Sequence, residues 1–240
     1  MSYPAALKHD APQQIAEDLF VVYGCVKMMM GMRLTRNMVI VRDQGKLTLI
    51  NPVRMDESGL AALEALGEVA AVLRLGPFHG MDDAFYVDRY KVPFWSFEGG
   101  TTYTEPTIDH VLREGGELPF AGATLFAFAQ MKEPEGALVL ERGASNVLIT
   151  CDAVQSYSTA PHTPHTSWLM RKMMPRIGFP CATLIGPFWM KLLVDDKQAM
   201  EKEFQRLLTF EFDQLIAAHG TFLPANAHRE LELAFEKMFR

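Results

Sequence analysis

Short apolar runs separated by turn residues predict β-strands in the first third of the chain. Leu19–Cys25 is a β-rich apolar run, and Asn37–Val41 and Lys46–Ile50 lie on either side of a polar turn that contains Gly45. Two β-branched runs around such a turn are typical of a β-hairpin. Val69–Leu75, bounded by glycines, has the length and composition of a buried strand.

Apolar residues spaced three and four apart predict helices further along. Asp56 or Ser58 is placed to cap a helix that ends near Leu66, where leucines recur at helical spacing. The same reasoning predicts helices over Gly80–Tyr90, Thr166–Met174, Asp195–Leu208 and Ala225–Phe239.

Further strands are expected between these helices. Val92–Ser96 has the composition of a strand, and Pro93 favours a position at a sheet edge. The other candidates are Ala123–Gln130, Ala137–Glu141, Asn146–Thr150 and Phe212–Ala217, with loops at Phe97–Glu117 and Asp152–His165. Hairpins followed by strand–helix units predict sheets covered by helices, and no linker divides the chain, so we expect one domain over residues 1–240.

Composition narrows the class of protein. The 240 residues are 49% hydrophobic and 22% charged, with a net charge of −6, and no Lys/Arg stripe interrupts the acidic balance. This favours a globular protein that does not bind nucleic acid. The N-terminus lacks a signal-peptide pattern, and no apolar run reaches the ~18 residues of a membrane span, so we expect a cytoplasmic protein with no membrane partner.

The cysteines indicate neither a disulfide framework nor a thiolate zinc site. The chain has an odd number of cysteines, which lie far apart and form no Cys-x-x-Cys pair: Cys25, Cys151 and Cys181. We expect three buried thiols.

Candidate chemistry is concentrated at three positions where a predicted strand ends. The first position is the segment Leu75–Asp83, which contains His79 and Asp83. At the second, a predicted strand ends at Asp152, and at the third, His219 follows the last predicted strand. Side chains at strand ends are frequent sites of ligand binding and catalysis. Asp82 is the alternative to Asp83 if the functional carboxylate lies one position earlier in the chain.

This arrangement resembles the metallo-β-lactamase superfamily. In that family a His-x-His-x-Asp-His motif follows a strand, a bridging Asp ends a later strand, and a last His precedes a Gly near the C-terminus. The resemblance runs from about Leu19 to the final helix and implies an α+β, four-layer αββα sandwich in which two mixed β-sheets are flanked by helices. It implies metal ligands at His79, Asp83, Asp152 and His219, with His79 and Asp83 also in catalytic roles.

The chain departs from the family pattern at several ligand positions. Met81 and Ala84 stand where the motif has its second and last histidines, and Lys132 stands at the His of the usual Gly-His-Thr-Pro-Gly turn. The resemblance is therefore to a degenerate subfamily that lacks most of the His ligands.

Two functions follow from what remains. The first is a metal-dependent hydrolase with a reduced mononuclear site for zinc, iron or manganese. The second is a metal-free, non-catalytic binding protein in which the Lys132 ammonium pairs with Asp83 and Asp152. A small-molecule ligand or substrate is expected in both, and the sequence leaves the substrate and the oligomeric state open. His162 and His165, on the loop after Asp152, are alternatively a solvated pair or a further His-x-x-His metal site.

Overall fold

Alternating side chains along the first strands give this part of the chain two apolar faces. In the strand Leu19–Lys27, the residues Leu19, Val21 and Tyr23 belong to one hydrophobic cluster and Phe20 and Val22 to another. A strand that is apolar on both faces must be covered on both faces. The computed structural model describes residues 3–142, 145–157 and 163–240.

The first sheet has seven strands among the described residues, arranged in chain order. They are β1 (Gln13–Ala16), β2 (Leu19–Lys27), β3 (Arg33–Asp43), β4 (Lys46–Ile50), β5 (Glu68–Leu73), β6 (Phe94–Ser96) and β7 (His110–Val111). Pairing is antiparallel from β1 to β4 and parallel from β4 to β7, so the sheet is mixed.

The second sheet is also mixed, in the order β13-β10-β9-β8. Its strands are β8 (Ala123–Ala127), β9 (Gly136–Arg142), β10 (Ser145–Thr150) and β13 (Gln214–Ala217), and only the β10–β13 pair is parallel among these described strands. A small antiparallel pair is formed by β11 (Val154–Ser156) and β12 (Thr183–Ile185). A β-bridge between Ser156 and Gly220 connects this pair to the chain just after β13.

The helices lie outside the two sheets. They are α1 (Glu57–Glu64), α2 (Asp83–Tyr90), α3 (Trp168–Met173), α4 (Pro187–Leu193), α5 (Lys197–Leu207) and α6 (Ala227–Phe239). Short 3-10 turns occupy Met29–Gly31, Pro77–Asp82 and Met174–Ile177. No helix of the described residues combines the length and the apolar character needed to cross a bilayer.

Three hydrophobic clusters define four layers. One fills the space between the sheets, with residues such as Val21 and Ile149. Another packs α1 and α2 on the outer face of the first sheet, and a third packs α4, α5 and α6 on the outer face of the second. The predicted αββα class, with two mixed sheets flanked by helices, is confirmed.

Several local predictions need correction. The helix expected from Gly80 begins as the 3-10 turn Pro77–Asp82, and α2 starts only at Asp83. The segment Val92–Ser96 is not at the edge, because β7 pairs outside β6. Cys25 and Cys151 are buried as expected, whereas Cys181 is exposed because it lies just before β12 at the surface.

Candidate metal centre

Three of the predicted site residues meet at the same end of the sandwich. His79 lies on the 3-10 turn after β5 of the first sheet. Asp152 follows β10 and His219 follows β13, which are parallel neighbours in the second sheet. Since parallel strands end at the same edge, Asp152 and His219 approach each other from adjacent strands, and the turn after β5 brings His79 to them from the facing sheet.

The carboxylate of Asp152 lies between the two imidazoles. Its Oδ2 atom is 3.3 Å from Nε2 of His79, and its Oδ1 atom is 3.2 Å from Nε2 of His219. One donor atom from each residue lies within 4.8 Å of the other two. Two imidazoles and one carboxylate are a donor set that suits zinc, iron or manganese.

The hydrogen bonding of His219 supports a cation at this point. Its Nδ1 atom is 2.6 Å from the carbonyl oxygen of Thr35, which can only accept, so Nδ1 carries the proton. In the neutral imidazole, Nε2 then presents a lone pair to the Asp152 carboxylate. Two acceptors this close need a proton or a metal ion between them, and a backbone carbonyl on the far nitrogen is how metal-binding histidines are usually oriented.

Burial and the contact between the two side chains set the protonation states of His79 and Asp152. Burial lowers the pKa of His79 to about 4, although the Asp152 charge opposes the shift. Burial raises the pKa of Asp152, but its contacts with the two imidazoles outweigh that effect, so the net pKa lies below its usual range. His79 is therefore neutral and Asp152 ionised at pH 7, as metal coordination requires.

Side chains that the sequence analysis missed hold Asp152 and His219 in place. The Gln155 amide lies 3.3 Å from Asp152 Oδ1, and the Tyr157 hydroxyl donates to the Gln155 carbonyl oxygen over 3.0 Å. On the other side, the Asn37 amide donates to the carbonyls of Ala217 and Gly220, on either side of His219. Nothing in the sequence marks Asn37, because its partners are up to 183 positions away, whereas Gln155 lies only three positions after Asp152.

A second group of donors shares Asp152 but has different properties. Glu135, Cys151 and Asp152 also offer atoms within 4.8 Å of one another. Burial raises the pKa of both Glu135 and Cys151 well above their ordinary values, and the neighbouring Asp152 charge adds to this. Both groups therefore favour their protonated forms, and the pair His79 and His219 is the better metal-binding side of Asp152.

Comparison with solved structures identifies the architecture. A DIM-1 metallo-β-lactamase superposes with a TM-score of 0.66 at 10% identity, covering 96% of this chain and 99% of that one. The mono-zinc form of the FIM-1 metallo-β-lactamase from Pseudomonas aeruginosa gives 0.60 at 9% identity, covering 98% and 97%. A mutant flavo di-iron protein from Thermotoga maritima gives 0.65 at 12% identity, covering 98% of this chain and 62% of its own.

The chain has the metallo-β-lactamase fold. No family model and no curated sequence matches it, and at identities of 8–13% the structural likeness shows the fold alone.

Within this fold, Asp83 lies outside the cluster of His79, Asp152 and His219, which corrects its place in the expected ligand set. Its carboxylate is fully buried, with Oδ2 3.2 Å from Nη1 of Arg74. The cause is the 3-10 turn before α2, which ends at Asp82 and turns the first residue of the helix towards the end of β5. Asp82, the alternative carboxylate, instead forms ion pairs with Arg36 and Arg54.

Lys132 is not a substitute for a lost ligand of the metallo-β-lactamase site. Its ammonium lies 2.7 Å from Asp195 and is half-exposed. The backbone N–H of Lys132 bonds to the carbonyl of Leu193, which draws this turn towards the end of α4. The predicted cluster of Lys132 with Asp83 and Asp152 is wrong.

Of the two loop histidines His162 and His165, the structure describes only His165. His165 Nε2 lies 3.0 Å from Asp10 Oδ1, so its imidazole is engaged with the N-terminal segment. His162 lies outside the described residues.

A largely apolar cavity of about 370 Å³ opens over the three clustered residues. His79, Asp152 and His219 contribute polar atoms to it, and Phe188, Leu192 and Met81 are among its apolar lining residues. Such a cavity suits a small ligand whose reacting group meets a few polar atoms.

Proposed function

We propose that this protein is a metal-dependent hydrolase with a mononuclear site formed by His79, Asp152 and His219, acting on a small, largely apolar substrate. The observation that carries the proposal is the position of the Asp152 carboxylate, with one imidazole Nε2 atom facing each of its oxygens. Three protein ligands with an open position are what a catalytic zinc site needs. We further propose that residues 1–240 act as one domain.

A divalent metal held by these residues would supply Lewis acidity, which lowers the pKa of a water molecule and polarises a substrate carbonyl or phosphoryl oxygen. His79 and His219 would bind through Nε2, the atom that each turns towards Asp152. Ligation through one oxygen of Asp152 would leave the other oxygen to accept a proton from water. Phe188 and Leu192 line one side of the cavity and would present an apolar wall to the substrate.

Support from similar structures is limited to the fold. The structural neighbours include metallo-β-lactamases and a flavo di-iron protein, whose names state their own metals or substrates. The ligand set proposed here has fewer histidines than the family motif, so the degenerate site is itself part of the proposal.

Metal analysis tests the ligand assignment. Protein purified without added metal, and protein dialysed against zinc, iron or manganese, would be measured by plasma mass spectrometry. We expect about one metal ion per chain, lost in Asp152→Ala and in His219→Ala. Asp83→Asn is the matched control, because it removes a buried carboxylate outside the cluster, and it should retain the metal.

Hydrolysis is tested with the metal-loaded protein on ester, lactone, phosphodiester and β-lactam substrates. Turnover that disappears in Asp152→Ala and with a chelator supports the proposal. A protein that stays metal-free after dialysis contradicts it and leaves a non-catalytic binding protein. A stoichiometric metal without hydrolysis of any class contradicts the catalytic part.

A further inference from the structure

A second cavity, of about 460 Å³, lies beside the metal-site cavity. The N-terminal segment 4–7 forms one wall, and the end of β2, Val53 and Arg54 form others. The two cavities share Val26, Arg36 and Met81, so these residues form the partition between them.

Two buried arginines line this second cavity and share one carboxylate. Arg36 and Arg54 are only 3% and 8% exposed. Asp82 accepts from Nη1 of Arg36 at 2.6 Å and lies 3.1 Å from Nη2 of Arg54. One carboxylate balances one guanidinium, so the group of three carries a net positive charge.

The surrounding residues do not supply the missing negative charge. Lys27, which also lines the cavity, adds a further cation. Asp83 is paired with Arg74, and Asp88 is partly exposed and accepts a hydrogen bond from the Tyr3 hydroxyl. Nε of Arg54 is buried and has no hydrogen-bond partner among the described residues. Arg54 also donates from Nη1 to the Pro4 carbonyl over 2.6 Å and lies 4.1 Å from the centre of the Phe85 ring, and neither contact carries a formal negative charge. Buried positive charge that no carboxylate balances is costly, so this site favours an anion.

The remainder of the lining is apolar. Besides the charged groups, the cavity is bounded by side chains such as Leu7, Val26, Val53 and Met81. A guanidinium fork matches the geometry of a carboxylate, and apolar walls match an alkyl chain. One unbalanced charge in an apolar cavity fits a ligand with one charge and an apolar body.

We propose that this cavity binds a monocarboxylate with an alkyl chain of short to medium length, its carboxylate held by Arg36 and Arg54. The site does not depend on the proposed hydrolase activity. Because Arg36 also donates to the backbone carbonyl of His79 over 2.8 Å, the ligand sits one side chain away from the metal-site cavity.

Calorimetry on the full chain tests the proposal, with octanoate as the probe and octanol and octylammonium as matched ligands. We expect one site per chain that prefers octanoate to both controls by at least tenfold. Affinity should rise about fourfold per methylene from butanoate upwards until the cavity is full. Binding that is equal for octanoate and octanol overturns the proposal.

Variants locate the site. Arg54→Met keeps the apolar stem and should weaken octanoate at least tenfold, while Arg54→Lys keeps the charge and should lose less. Ala6→Phe fills the cavity without touching the arginines and should abolish binding, which keeps the test decisive if Arg54→Met fails to fold.

A carboxylate can also bind a metal ion, so the two sites must be told apart. Asp152→Ala, which lacks the proposed metal site, should bind octanoate as the wild type does. Octanoate binding that is lost in Asp152→Ala but kept in Ala6→Phe places the ligand at the metal site and refutes the second cavity.

Discussion

His219 and Asp152 face each other with Nε2 and Oδ1 3.2 Å apart, while the other nitrogen of His219 is held by the Thr35 carbonyl. The ring of His219 is thus fixed before any ligand arrives. Its position depends on β3, the strand that carries both Thr35 and Asn37. The predictions below follow from this support and from the corrected positions of the neighbouring charges.

Asn37→Ala should loosen His219. The variant removes two buried donors and leaves the carbonyls of Ala217 and Gly220 without them, so we expect a loss of about 2 kcal/mol in unfolding free energy. Metal affinity should fall roughly tenfold, as is usual when support of a ligand is removed. Urea unfolding and metal titration measure both. In the control Asn146→Ala, which removes a bond to the Glu211 carbonyl near the surface, affinity should not change.

Gly220→Ala should destabilise the protein by more than about 3 kcal/mol. Gly220 has φ of +97°, and an added Cβ would overlap the carbonyl oxygen of Ser156. Gly99→Ala separates the two causes, since Gly99 has φ of +89° with nothing within 4 Å of the added Cβ. That control should cost only about 1 kcal/mol. Equal losses in thermal unfolding would show that backbone strain, not the close approach, dominates at Gly220.

Asp83→Asn should change the pH dependence of stability. Burial raises the pKa of Asp83 to about 7 against the opposing charge of Arg74. The folded state therefore binds a proton that the unfolded state releases near pH 4, and this group destabilises the native protein progressively as pH rises from about 4 to 7. The asparagine variant lacks this effect, so its stability relative to wild type should improve by about 4 kcal/mol over that range.

Urea unfolding of both proteins at pH 4 and pH 8 measures this difference. A stability difference that is the same at the two pH values would mean that Asp83 is ionised throughout and firmly paired with Arg74.

Lys132→Ala should leave metal content unchanged and cost less than about 1 kcal/mol, because its ion pair with Asp195 is on the surface. Asp195→Ala is the matched control and should behave alike in metal analysis and unfolding. Loss of metal in Lys132→Ala but not in Asp195→Ala would show that Lys132 contributes to the metal site.

The elements with strong periodicity were predictable from the sequence. The hairpin of β3 and β4 and the helices α5 and α6 follow from alternation, helical spacing and turn residues. Asp56, one of two candidate caps, accepts from the Gly59 N–H at the start of α1. Each of these signals depends on residues close together in the chain, so it can be recognised without knowledge of the fold.

Several short elements were missed, and for β11, β12 and α4 the reasons are identifiable. β11 and β12 have three residues each and depend on pairing with one another across a long connection. Pro187 is the first residue of α4, where a missing N–H costs nothing, although a proline in an apolar run does not by itself predict a helix.

The candidate site was predictable in part. His79, Asp152 and His219 follow strand ends and come together as expected, although their metal role stays a proposal. Asp83 could not be placed, because the six residues Pro77–Asp82 form a 3-10 turn instead of an α-helix and rotate the chain, and no sequence pattern distinguishes the two here. Arg74 and Arg36, which decide where Asp83 and Asp82 point, are marked by no motif.

The three clustered side chains belong to different halves of the sandwich: His79 to the first sheet, Asp152 and His219 to the second. No partial structure built from one sheet alone contains the whole set, so the set is complete only after the sheets dock. An ion bound there acts as a late cross-link between the sheets. If sheet docking precedes binding, such an ion would slow unfolding far more than it would speed folding, and the native state would persist longer.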